Sequence, residues 1–264
     1  MARKIVITSG KGGVGKTTVT ANLGAKLASF GYKVCLLDID IGLNNLDVIL
    51  GIENKIMFDL IDVIENKCRV KQALIKDKRF ENLYILPTNH YFYKRDITKE
   101  QIKKVVDSLD EDFDYILIDC PAGIDEGFYR AVYCATEAIV VVTPHISSLR
   151  DGDKVLSLLS SFDLQSKSIL INRVRGDMMI DNKMISITEV CRLLKTKLIG
   201  VIPEDDNITT LSSIGGLSTN NILSSRAFSI LAENVHTGSK KIYDCSTKYQ
   251  GFIGSIRRTL KRTV

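Results

Sequence analysis

Residues Ser9 to Thr18 read "SGKGGVGKTT" and place Gly10, Gly15, Lys16 and Thr17 in the spacing GxxxxGK[ST]. A loop of this kind binds phosphate because its glycines let successive backbone N–H groups face one concave surface, while the following helix adds the positive end of its dipole. Gly10, Lys11, Gly12, Gly13, Val14, Gly15, Lys16, Thr17 and Thr18 are therefore the candidate nucleotide cradle. Lys16 is placed to reach the β and γ phosphates, and the Thr17 hydroxyl to ligate Mg2+. The bland alternative is a glycine-rich turn opening an ordinary helix. The preceding "KIVIT" supplies the strand that the phosphate motif requires.

Two further stretches carry carboxylates where apolar runs end. "CLLDIDIGLNN" places Asp38 and Asp40 two residues apart, and "IDCPAGID" places Asp119 at the end of another run. Phosphoryl transfer needs such groups to hold magnesium-bound waters and to orient the attacking water. The candidate metal set is thus Thr17, Asp38, Asp40 and Asp119, the aspartates acting through water. Asp38 and Asp40 could instead cap the next helix. Gly123 gives the loop after Asp119 freedom to reorganise, and the neighbouring Cys120 is a lone thiol without a resolving partner.

These residues need a scaffold, and the pattern around them supplies one. Short apolar runs rich in β-formers recur at 4–8, 33–38, 82–86, 114–119, 137–143, 167–172 and 197–202. Their continuous apolar character suits strands covered on both faces of a mostly parallel sheet. Helical periodicity fills the gaps, most clearly over 16–30, 99–109, 148–162, 184–194 and 225–235. The alternation predicts an α/β fold with a doubly wound, mostly parallel sheet flanked by helices and ligand sites at the carboxyl ends of its strands.

Composition narrows the function classes. A chain of 264 residues supports one large core, and no apolar run approaches the roughly 20 residues that span a bilayer. The opening "MARKIVITSG" lacks the long apolar region of a signal peptide, so the expected location is cytoplasmic, or the stroma of a plastid. Six cysteines without a CxxC pair argue for reduced thiols, and the three histidines are isolated from one another, so no metal cluster is expected. Of the 36 basic residues, five (Lys248, Arg257, Arg258, Lys261 and Arg262) lie from Lys248 onward with no acidic residue, which leaves 31 of each sign in the body. A neutral body is unlike a protein that grips nucleic acid over a broad face.

Lys11 gives the loop the form KGGxGKT, which resembles the signature of the deviant Walker A (MinD/ParA) family of P-loop ATPases. The blocks "DIDIGLNNLDVILGIE", "DCPAGID", "TPHISSLRDGDKVL", "NRVRGDMM" and "GVIPEDDNI" resemble the branch of that family that determines septum sites, over nearly the whole chain. The resemblance implies a magnesium-dependent ATPase that forms a homodimer on ATP, with Lys11 crossing to the partner's nucleotide. It implies that Lys11, Lys16 and Asp40 carry catalysis, with Asp40 positioning the hydrolytic water and Asn45 making a further contact nearby. It also implies that Asn172, Arg173 and Pro203 line the adenine pocket, and that Asp151 lies where the dimer partner or regulators touch. The implied partners are a MinC-type inhibitor and a MinE-type activator, with no specific nucleic acid. Two departures stand out: "NHYFYKRDIT" at 89–98 is more aromatic than the family pattern, and an asparagine replaces the usual charged residue before Asn45.

The chain ends in "YQGFIGSIRRTLKRTV", and the expected organisation is an ATPase domain over 1–236, a linker over 237–248 and an amphipathic helix over 249–264. On a helix, about 100° per residue gathers Tyr249, Phe252, Ile253, Ile256, Leu260 and Val264 on one arc of roughly 120°, flanked by Arg257, Arg258, Lys261 and Arg262. Such a helix suits an anionic membrane surface, where each basic residue contributes about 1 kcal/mol. Gly251 and Gly254 lower its helicity in water, so it orders on binding. The competing readings are a terminal helix packed on the body and a DNA grip, the latter gaining little from a shared apolar face. For the whole chain, the rivals are a DNA-positioning ParA-type ATPase and an iron–sulfur carrier, which would need clustered cysteines.

Overall fold

The computed structural model describes residues 1–41, 45–88, 97–213, 215–217, 223–251 and 254. The tail residues Phe252, Ile253, Ile256, Arg257, Arg258, Leu260, Lys261 and Arg262 lie outside the described residues, as do Asn44 and most of the aromatic stretch at 89–98. Eight strands form one sheet: β1 (Arg3–Thr8), β2 (Val34–Asp38), β3 (Ile75–Lys76), β4 (Leu83–Leu86), β5 (Tyr115–Asp119), β6 (Glu137–Val142), β7 (Ser166–Val174) and β8 (Lys197–Pro203). Their order is β3-β4-β2-β5-β1-β6-β7-β8, and every pairing is parallel except β3 with β4. The seven expected strands are all present. β3 was not expected, because two residues are too few for any periodicity to register.

The helices are α1 (Lys16–Ser29), α2 (Leu46–Leu50), α3 (Leu60–Ile64), α4 (Val70–Ala73), α5 (Lys99–Asp107), α6 (Glu126–Tyr133), α7 (Ile146–Leu159), α8 (Gly176–Ile180), α9 (Ile187–Leu194), α10 (Asp206–Ser213) and α11 (Leu223–Thr237). Among the described residues, no helix is long and apolar enough to cross a membrane. Strand residues alternate between two cores. Val6, Cys35, Leu37, Ile116 and Ile118 meet α3, α5, α6, α7 and α9 on one face. Ile5, Ile7, Leu36 and Leu117 meet α1, α2 and α11 on the other. Burial on both faces explains why the strands read as continuous apolar runs, each such side chain contributing about 1.5–3 kcal/mol relative to exposure. The central strand β1 enters the loop 9–15, so the phosphate motif sits in the middle of the sheet's carboxyl edge.

The segment 237–248, expected as a linker, is mostly exposed but touches the body at several points. The Asn234 side chain donates to the Ile199 and Lys241 carbonyls at 2.8 and 2.6 Å. Cys245 and Tyr249 are 3% and 5% exposed. Tyr249 ends the turn Thr247–Tyr249 and packs on the body, which removes it from the apolar arc assigned to the tail. One contact that local composition does not show is that of Cys245 and Tyr249 with Gly176, far away in sequence. A Cβ at Gly176 would stand 1.9 Å from the Cys245 carbonyl oxygen, so only glycine admits this approach. Gly176→Ala should therefore cost about 1–3 kcal/mol at this contact and free the segment. Limited trypsinolysis should then cut faster after Lys240 and Lys241; unchanged cleavage would contradict the docking.

Candidate active site

α1 begins at Gly15, whose φ of 94° is left-handed, and no side chain caps the helix. The first N–H groups of α1 thus remain directed at the loop, which is the arrangement that receives a phosphate. Gly15 is required twice over, since a Cβ there would also lie 2.5 Å from the Asn172 side-chain nitrogen. Asn172 in turn donates to the Val14 carbonyl at 2.8 Å and so ties β7 to the loop. Gly10 packs on the backbone of Asp151, where a Cβ would meet the carbonyl oxygen at 2.3 Å. α7 therefore buttresses the loop from behind, a role for Asp151 that the sequence did not suggest.

The loop faces a cavity of about 420 Å3 lined by Gly12, Gly13, Gly15, Lys16, Thr17, Thr18, Asp40, Asn45, Val48, Ile49, Cys120, Ala122 and Arg173. A smaller cavity of about 150 Å3 shares Gly15, Thr18 and Arg173 with it, and adds Asn172, Pro203, Glu204, Asp205, Ile208 and Phe228. Asn172, Arg173 and Pro203, named from resemblance alone, thus meet around one space beside the phosphate loop. Glu204, Asp205, Ile208 and Phe228 were missed. The position of Glu204 and Asp205 just after β8 was a usable signal, because ligands of such sheets sit at strand ends. Arg173 is a non-glycine residue at φ 57°, within the irregular stretch of β7 where its register with β8 shifts. That strained conformation, of order 1–3 kcal/mol, accompanies a side chain that lines both cavities.

Asp38 and Asp119 are register partners at the ends of β2 and β5, and are 1% and 2% exposed. Asp38 accepts from the backbone N–H of Asp40 at 2.8 Å and of Asn45 and Leu46 at 3.3 Å. Asp119 accepts from the hydroxyl of Thr20 at 3.1 Å. Burial, reinforced by the charge of Asp119, pushes the Asp38 pKa well above the usual carboxylate range. Burial likewise raises Asp119 to about 6 against the opposing pull of the Thr17 hydroxyl and Lys16. Asp40 is half-buried and shifted up by burial, with Lys16 pulling it down and Asp125 pushing it up. It borders the phosphate cavity and a separate space of about 350 Å3 lined also by Asp125, Glu126 and Arg130.

Among the described residues, no three His, Cys, Asp or Glu side chains converge into a closed metal cage. Two neighbouring buried carboxylates beside a hydroxyl fit Mg2+ better, since that ion keeps waters and shares its ligands with substrate phosphates. Lys11 is exposed and does not line the phosphate cavity, whereas Lys16 is 8% exposed and does.

The raised pKa values have a thermodynamic sign. The folded chain holds protons on Asp38 and Asp119 at pH values where the unfolded chain has lost them, so each one's contribution to stability falls as pH rises above about 4, that of Asp119 through about 6. Asp119→Asn removes a buried charge and should leave the nucleotide-free protein as stable as, or about 1–2 kcal/mol more stable than, the parent at pH 7. It should also flatten the melting temperature between pH 5 and 7 and abolish stabilisation by magnesium. Thermal melts without nucleotide across pH 5 to 7, and with ADP in the presence and absence of Mg2+, measure all three.

The family model described as an AAA domain matches residues 2–171. A septum site-determining MinD relative from Guillardia theta is 51% identical over 215 residues, covering 81% of this chain and 80% of the relative. Among solved structures, the MinC:MinD cell division protein complex of Aquifex aeolicus is 41% identical with a TM-score of 0.85, covering 92% of this chain and 98% of the other. The septum site-determining MinD of Pyrococcus horikoshii, complexed with Mg-ADP, is 33% identical with a TM-score of 0.76, covering 89% and 96%. A glycine loop opening α1, a buried carboxylate pair facing it and likeness over most of both chains agree: the chain belongs to the MinD family of septum site-determining P-loop NTPases.

Proposed function

We propose that the chain is a magnesium-dependent ATPase that pairs on ATP, attaches to an anionic membrane through its C-terminal residues and helps to place the division site. The observation that carries the reading is the meeting of Lys16, Thr17, Asp38, Asp40 and Asp119 around the carboxyl edge of the sheet, in a chain of this family. Lys16 and the first N–H groups of α1 bind the β and γ phosphates and draw off negative charge as the terminal bond breaks. Thr17, Asp38 and Asp119 would hold Mg2+, the aspartates through water; when bound, that ion neutralises the phosphates and orients them for in-line attack. Asp40, between two cavities, orients the water that attacks. Asn172, Arg173 and Pro203, with Glu204, Asp205, Ile208 and Phe228, receive the base and sugar.

Exposed Lys11 reaches the nucleotide of a second copy, which makes pairing depend on ATP. Pairing brings two weak tails together, and their shared avidity turns marginal membrane affinity into stable attachment. Phe252, Ile253, Ile256 and Leu260 enter the lipid boundary while Arg257, Arg258, Lys261 and Arg262 meet its headgroups. Hydrolysis dissolves the pair and releases both tails. A MinC-type inhibitor rides on the dimer, as the Aquifex aeolicus relative was solved with MinC, and a MinE-type activator speeds hydrolysis. The protein thus works as a peripheral protein on the inner face of a plasma membrane or, in a plastid, of the inner envelope.

Sedimentation with anionic liposomes tests the attachment, comparing the full chain with one ending at Gln250, which retains the packing of Tyr249. The full chain should pellet with Mg-ATP and much less with ADP, and the shortened chain should stay in the supernatant. Equal pelleting of the two chains in ATP would sink the membrane role of the tail. Asp40→Ala should bind ATP with near-parent affinity yet turn it over roughly 100-fold more slowly, as expected for loss of a group that acts on the attacking water. A normal rate of phosphate release would take Asp40 out of that role.

A further inference from the structure

α2 supplies Val48 and Ile49 to the phosphate cavity, and Asn45 just ahead of it lines the same space. A helix of five residues has almost no stability of its own, so tertiary tethers decide where these side chains stand. At its N-terminal end the tether is Asp38, which accepts from the amides of Asn45 and Leu46. At its C-terminal end the chain turns at Gly51, whose φ is 65°, and meets Gly215, whose φ is 69°. The two glycines pack backbone to backbone: a Cβ on Gly215 would lie 2.7 Å from the Gly51 Cα. Gly215 follows α10, and the Gly216 amide returns to the Leu211 carbonyl of that helix at 2.7 Å. α10 brings Ile208 to the smaller cavity.

Arg79, from the turn between β3 and β4, closes this junction. Its Nη1 donates to the Gly215 carbonyl at 2.7 Å and its Nη2 to the Leu50 carbonyl at 3.0 Å. The guanidinium is itself held in plane by Asp77, through Nε at 3.1 Å and Nη2 at 2.6 Å. Asp77 is 4% exposed and also accepts from the Arg79 amide at 2.6 Å. Arg79 lines neither the phosphate cavity nor the smaller one.

We propose that Arg79 is a positioning residue for turnover: its fork locks Leu50 to Gly215 and so fixes the phosphate-cavity wall on α2 against the base-cavity wall on α10. The role needs a planar group, since a single ammonium cannot span two carbonyls while also gripping a carboxylate in two places. The clamp acts through α2, on Asn45, Val48 and Ile49, rather than on the nucleotide directly. Its effect on turnover rests on the ATPase reading given above, whereas its hold on α2 does not.

The test compares the full-length parent with Arg79→Lys and, acting on the same junction from its other side, Gly215→Ala. Steady-state ATP turnover, ADP affinity, melting temperature and hydrogen exchange of the α2 amides are measured on each. In both variants kcat should fall about tenfold or more, because small displacements of a site wall carry large rate penalties. ADP affinity should stay within about twofold, since the loop and α1 are untouched. The amides of Leu46–Leu50 should exchange faster. Unchanged kcat and unchanged exchange would overturn the proposal, as would parallel losses of turnover, affinity and melting temperature, which mark a merely structural residue. If one variant fails to fold, the other decides. A parent that hydrolyses no ATP would strike the ATPase reading, and amide exchange in α2 would still judge the clamp.

Discussion

Asp38 and Asp119 are buried side by side at the ends of adjacent parallel strands, where two like charges repel and neither is solvated. Isolated, such a pair would cost several kcal/mol per ion, so the surrounding structure is organised to hold it. Asp38 takes three backbone amides and in doing so fixes the start of α2. Asp119 takes the hydroxyl of Thr20, which registers the phosphate loop's helix against β5. In the proposed function, a divalent cation with a nucleotide would balance the charge of this pair.

Parallel topology explains why these groups can meet at all. β5 lies between β1 and β2, so the phosphate loop after β1, Asp119 after β5 and Asp38 after β2 emerge side by side on one edge. The same edge receives Arg173 from β7 and the residues after β8, which makes a continuous trough of two cavities. Two contacts lie outside that trough. Arg79 closes the far end of α2, and the docked segment ending at Tyr249 settles on Gly176, three residues beyond Arg173.

Chemistry concentrated in short motifs was legible from the chain alone. The spacing of Gly10, Gly15, Lys16 and Thr17 and the carboxylates ending "CLLD" and "ILID" identify the phosphate edge, because backbone geometry and charge dictate those residue types. Seven strands were legible because burial on both faces writes a continuous apolar run. The adenine-side residues Asn172, Arg173 and Pro203 required resemblance, since nothing local marks them. What stayed hidden depends on distant partners. β3 is two residues long and exists through pairing with β4. The segment 237–248 looks like a linker until Gly176 is brought beneath Cys245. Arg79 reads as one more surface cation in "KDKRF" until folding sets Leu50 and Gly215 before it.

In the proposed function, ATP makes two copies into one object, with the exposed Lys11 of each completing the other's site. Sedimentation velocity on Asp40→Ala, which should retain ATP, compared with the double variant that also carries Lys11→Ala, tests it most directly. With Mg-ATP the single variant should sediment as a dimer and the double variant as a monomer that still binds nucleotide. A double variant that dimerises as well as the single would contradict the account.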